Sequence, residues 1–116
     1  MTPAALRKLA LSLPGAYEEP HFHRVSFRVG KKIFATMTPD GAEAMVRVAP
    51  IAAVRALLAE EPDVFFDYGG WTWKNGAVGA RLAKVGAARM RALVTAAHER
   101  AAAPPKRTAK PKRTAR

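Results

Sequence analysis

Apolar residues recur along this chain with two different periods, and each change of period marks an element. Leu6, Leu9, Ala10 and Leu13 fall at i, i+3, i+4 and i+7, the stripe of an amphipathic helix. Thr2 stands where an N-cap belongs. Pro3 suits the first helical position, because the N–H it lacks would find no partner there. Pro14-Gly15 ends that helix, and Glu18, Glu19 and Pro20 read as a loop. The period then becomes two. Val25, Phe27 and Val29 alternate with Arg24, Ser26 and Arg28, the pattern of a half-buried strand. Gly30-Lys31 turns into a second strand over residues 32–38, and Pro39-Asp40-Gly41 is a turn. A third strand sets Ala44, Val46 and Val48 against Met45 and Arg47, completing an antiparallel meander of three strands.

Pro50 opens a second helix in which Ile51, Val54, Leu57 and Leu58 share a face. Glu60 and Glu61 sit unfavourably near its negative C-terminal pole, and Pro62 stops it. Residues 64–68 form an apolar stretch without a clear period. Asn75-Gly76 is a hairpin signal between residues 71–74 and 77–82. Met90, Leu93, Val94, Ala97 and Ala101 then mark a last helix beginning near Gly86. The expected order is α-β-β-β-α-β-β-α, a single α+β domain with helices packed on an antiparallel sheet.

Composition narrows the chemistry. A chain of 116 residues with 49% hydrophobic content supplies one packed core. Cysteine is absent, which excludes disulfides, thiol catalysis and cysteine-ligated zinc. The net charge of +11 predicts an anionic partner. Its distribution matters more than its total. Lys106, Arg107, Lys110, Lys112, Arg113 and Arg116 lie in a stretch with no acid and no large apolar residue, beyond Pro104-Pro105. The remainder holds fourteen basic and nine acidic side chains. Residues 1–103 are therefore expected to form the domain, and 104–116 a disordered basic tail that buries too little surface to offset its ordering entropy. No segment approaches the roughly 18 apolar residues of a membrane span. The apolar run Leu9–Leu13 is also shorter than a signal-peptide core. A cytoplasmic protein with no membrane partner is expected.

Several of these segments in order resemble one family. Leu13-Pro14-Gly15-Ala16, Glu18-Glu19, Ser26-Phe27-Arg28-Val29, Gly30-Lys31, Phe34-Ala35, Pro39-Asp40-Gly41 and Gly70-Trp71 are similar to the YjbR/MmcQ family of small bacterial proteins, over about residues 3–102. The resemblance implies a compact α+β domain of the double-wing type and an association with DNA. The chain departs from longer members at Asp67-Tyr68-Gly69-Gly70, where they carry a basic stretch containing His and Asn.

Catalytic patterns are missing. Ser12 and Ser26 lie in no Gly-x-Ser-x-Gly turn, and the glycines match neither dinucleotide nor P-loop spacing. Glu18-Glu19 and Glu60-Glu61 are adjacent in sequence, which points their carboxylates apart on regular elements. His21 and His23, at i and i+2, would share one side of an extended strand, with Glu18, Glu19 or His98 as further ligands. Two histidines without a placed third ligand read instead as surface residues at a strand entrance. No enzyme activity, cofactor or metal is expected.

Binding features are more numerous. Arg24 and Arg28 share strand parity, Arg47 lies on the polar side of its strand, and Lys31 and Lys32 occupy a turn. Together they form a candidate basic sheet face or wing. Trp71 and Trp73 share parity beside Lys74, and serve either as stacking platforms for unpaired bases or as core. The expected function is non-enzymatic, largely sequence-independent DNA binding, with the six tail cations contacting phosphates. Two alternatives stand beside it. One is a small-molecule or regulatory domain with a pocket between sheet and helices. The other is a protein-interaction module whose tail docks on an acidic partner.

Overall fold

The two periods place their elements in a computed structural model that describes residues 1–48, 50–67 and 76–103. Helix α1 spans Pro3–Ser12, and the Thr2 side chain accepts from the Ala5 amide at 3.0 Å, the N-cap that the sequence predicts. Strands β1 (Tyr17–His21), β2 (Arg24–Val29), β3 (Lys32–Met37) and β4 (Glu43–Arg47) follow as a meander. Helix α2 (Ile51–Glu60), strands β5 (Phe65–Phe66) and β6 (Ala77–Arg81), and helix α3 (Ala87–Ala102) complete the described elements. All strand pairs are antiparallel, in the order β1-β2-β3-β4-β6-β5. Among the described residues this is an α+β fold with three helices on one six-stranded sheet.

Three sequence expectations change. The meander has four strands, because residues 17–21, expected as a loop, pair with β2. Two glutamates and a proline obscure this strand, yet all three residues suit a sheet edge, where charge and Pro20 discourage further pairing. Glu18 turns toward the helices, and its carboxylate accepts from Arg7 Nε at 2.9 Å and Nη2 at 3.3 Å, pinning the edge to α1. The second difference lies at β5, a two-residue strand that took no clear period. The partner expected for β6 falls on residues 71–74, outside the described residues. The described partner on that side of β6 is Phe65–Phe66, opposite Ala80 and Gly79. Third, Ile51 is 37% exposed instead of sharing the buried face of Val54 and Leu57.

The helices lie on one side of the sheet and close the core there. Leu6 and Ala10 of α1, Val54 and Leu57 of α2, and Met90, Val94 and Ala97 of α3 pack against Phe27, Phe34, Val46 and Val78. Each fully buried large side chain contributes roughly 1.5–3 kcal/mol. The β2–β3 register slips between Phe27 and Arg28, leaving Phe34 without a partner in the ladder. Phe34 instead meets the buried His98 of α3 edge-on, with ring centroids 5.4 Å apart. Glu60 and Glu61, poorly placed for the α2 dipole, are offset by Arg89 of α3, whose Nη2 lies 3.1 and 2.9 Å from their carboxylates. At the β3–β4 turn, Asp40 accepts from the Ala42 amide at 3.0 Å and the Thr38 hydroxyl at 2.7 Å. These two bonds, the amide's first, hold its carboxyl below the usual carboxylate range.

Candidate nucleic-acid interface

Strand alternation sends the residues between core positions to the opposite face of the sheet, where no described helix packs. The register aligns them in rows. Tyr17 stands opposite Arg28, Glu19 opposite Ser26, and His21 opposite Arg24. Ser26 is opposite Thr36, Thr36 opposite Met45, Met45 opposite Gly79, and Gly79 opposite Phe66. Arg47 lies opposite Ala77, and Glu43 opposite Arg81. Arg24, Arg28 and Arg47, predicted as one basic face, are therefore brought to the same side.

Two of these arginines are anchored on buried hydroxyls. Arg28 Nε donates to Ser26 Oγ at 2.9 Å, and the Ser26 hydroxyl donates to the Glu19 carbonyl at 2.7 Å. The Glu19 carboxylate lies 3.8 Å from the same Nε. Arg24 Nη1 donates to Thr36 Oγ1 at 3.3 Å. Ser26 and Thr36 are buried, so these bonds satisfy groups whose desolvation would otherwise be costly. A guanidinium carries five donors in a rigid fork, so the single bond from Arg28 Nε to Ser26 leaves that group equipped for a phosphate.

Arg81 joins this face from β6, with its guanidinium carbon 4.7 Å from the centroid of the Phe66 ring and Nη1 3.4 Å from the Asp63 carbonyl. Sequence reasoning missed it. Its place on this face depends on the β4–β6 register, which sets Gly79 opposite Met45 and which no local pattern along the chain reveals.

Lys31 and Lys32 are exposed at the β2–β3 turn, where Gly30 and Lys31 both have positive φ, at 57° and 71°. That pair of values is the two-residue hairpin geometry suited to strand twist. The turn lies at the end of the sheet where β4 finishes in Arg47. Helix α3 ends there too, because Arg100 Nη1 donates to the Arg47 carbonyl at 3.3 Å.

The other candidates divide. Trp71, Trp73 and Lys74 lie outside the described residues, as do Lys106, Arg107, Lys110, Lys112, Arg113 and Arg116. His21 and His23 do not share one strand side, because β1 ends at His21 and His23 belongs to the following turn. Among the described residues no three His, Asp or Glu side chains gather as metal ligands. Glu18 pairs with Arg7, Glu19 lies beside Arg28, and His98 Nε2 lies 2.7 Å from the Pro14 carbonyl.

The YjbR family model matches residues 11–100. The chain belongs to the YjbR family. Its match runs from the last turn of α1 through most of α3, and so includes every strand of the open face. No curated protein matches the chain. Among solved structures, this YjbR protein is similar to the Deinococcus radiodurans protein DR2400, whose family-model domain is DUF419. The two are 20% identical, with a TM-score of 0.69 over 83% of this chain and 75% of that one. At that identity the likeness establishes the fold.

The YjbR domain also carries a groove of about 210 Å³ between α2 and α3, lined by Val48, Ala53, Ala56, Leu57, Leu93 and Ala96, with Glu60, Arg89 and Arg100 at its rim. It lies between helices and not between sheet and helices. Its volume is below the roughly 300–1,000 Å³ typical of small-molecule sites. Among the described residues, no helix is long and apolar enough to cross a membrane.

Proposed function

We propose that this YjbR-family protein is a non-enzymatic, cytoplasmic DNA-binding protein that reads the phosphate backbone with little regard to sequence. The observation that carries this reading is a convergence of cations at one end of the open face. Arg28 of β2 and Arg47 of β4 lie there on either side of β3, with Lys31 and Lys32 at the β2–β3 turn. Arg100 bonds the Arg47 carbonyl at 3.3 Å, three residues before Ala103. The chain therefore enters residues 104–116, with their six cations, from beside that surface. Sheet and tail would share one polyanion. Phosphate contacts of this kind give sequence-independent affinity that falls steeply with salt.

The test is fluorescence anisotropy of labelled DNA, duplex and single-stranded, titrated with the full chain at several salt concentrations. Tight binding at ~50 mM salt that weakens steeply with added salt supports the reading. Replacing Arg24, Arg28 and Arg47 together by Gln should weaken binding to every sequence alike. Absence of binding at low salt, where phosphate contacts are strongest, would sink it. Binding unchanged by the triple replacement would remove the sheet face from it.

A further inference from the structure

The β1–β2 hairpin closes through Phe22 and His23, between the paired residues His21 and Arg24. Phe22 has a φ of +58°, in the left-handed region that any residue with a Cβ adopts reluctantly. His23 is not among the positive-φ residues, so the turn has positive φ at its first central position alone. That is the type II′ pattern, and it favours glycine where Phe22 stands. The Phe22 side chain is also 91% exposed, against 39% for Leu11 and 37% for Ile51, the other exposed large apolar residues described. Its ring meets His21 at a centroid distance of 4.7 Å and an angle of 62°. Backbone conformation and solvation both disfavour a phenylalanine here, and the core does not use it.

What the hairpin does with that ring follows from where it sits. Strand β2 begins two residues later, and carries Arg24 and Arg28 on the open face. From Arg24 to Arg28 is about 13 Å along the strand. A nucleic-acid strand lying along β2 would meet these guanidinium groups with its backbone and reach the tip with a base. Aromatic rings stack on bases of any sequence, but bases within a duplex already stack on each other, and a wedge must first part them. An unpaired base costs less to engage.

We infer that Phe22 is a base-stacking wedge for single-stranded DNA. This rests on the DNA-binding reading above and adds the strand form that the site prefers. The two-residue turn fixes the backbone at the tip, which limits the ordering entropy lost on binding to that of the side chain.

The experiment compares the full-length wild type, Phe22→Gly and Phe22→Trp. The probes are a single-stranded oligonucleotide carrying one 2-aminopurine and a duplex of the same length. The wild type should bind the single strand more tightly than the duplex and quench the 2-aminopurine by stacking. Phe22→Gly should lose roughly tenfold in single-strand affinity, together with the quenching, while duplex binding and the salt slope stay unchanged. Phe22→Trp should keep both properties. Because glycine suits the turn, Phe22→Gly should melt no lower than the wild type, which separates a lost contact from a lost fold. Single-strand affinity and quenching unchanged in Phe22→Gly would overturn the wedge and leave the DNA-binding reading standing. Failure of the wild type to bind either probe would overturn both.

Discussion

Phe66 fills the space that a side chain on Gly79 would need. A Cβ added to Gly79 would lie 2.5 Å from two ring carbons of Phe66, across the β5–β6 pair. The same ring lies under the Arg81 guanidinium. One missing methyl on β6 thus seats an aromatic ring on the open face, and the ring in turn positions a cation.

Gly79→Ala should therefore displace Phe66 and disturb Arg81 with it. Overpacking of this kind costs roughly 1–3 kcal/mol. In a Phe66→Ala background the same substitution should cost much less, since the conflict is with that ring. Chemical denaturation of the four proteins of this double-mutant cycle measures the coupling. Equal costs in both backgrounds would mean that the ring yields freely.

His98 joins the last helix to the end of the first. Its Nε2 lies 2.7 Å from the Pro14 carbonyl, and its ring packs edge-on against Phe34. His98→Leu keeps the volume closely but leaves that carbonyl without its donor, a loss of roughly 1–3 kcal/mol. His98→Ala adds a cavity and should cost more, about 2–5 kcal/mol in total. Urea unfolding midpoints would rank the two. Amide exchange near Leu13 should accelerate in both.

Asp40 ties part of the stability to pH. Its carboxyl is held below the usual carboxylate range by the Ala42 amide and then by the Thr38 hydroxyl. A depressed carboxylate favours the folded state fully above the unfolded value, and the gain is lost as pH falls through the folded one. The melting temperature of the wild type should exceed that of Asp40→Asn at neutral pH. The gap should narrow below about pH 3.8 as the carboxylate protonates. A gap constant from pH 7 to pH 2 would show that the charge contributes nothing.

The six cations of residues 104–116 should set the salt dependence of DNA binding. Replacing all six by Gln in the full chain should lower the log–log salt slope for duplex by up to about 5, at roughly 0.9 per phosphate neutralised. Arg47→Gln alone should lower it by no more than about 1. Anisotropy titrations at four or more salt concentrations give these slopes. An unchanged slope in the six-fold variant would assign binding to the folded body.

Much of this fold was legible along the chain because local patterns and tertiary packing agree. Thr2-Pro3 starts α1 as its capping chemistry requires. Residues 24–29 alternate because one side of β2 meets the core. Met90, Val94 and Ala97 share the buried side of α3. The basic character of Arg24, Arg28 and Arg47, and their parity on their own strands, could be read in the same way.

The sequence could not decide what depends on partners distant along the chain. Residues 17–21 become a strand only because β2 lies beside them and Arg7 waits for Glu18. Phe65–Phe66 pair with β6 because the chain returns there, and no period of two can develop in so short a strand. Arg81 joins the other arginines through cross-strand register. By itself the sequence determined the elements with repeating periods, the family and the amount and sign of charge, since these follow from local spacing and composition. Only the tertiary structure decided which face carries that charge, where α3 delivers the chain, and that Phe22 stands exposed on a left-handed backbone. Each of these is fixed by strand register and helix docking, interactions between residues that are remote in sequence.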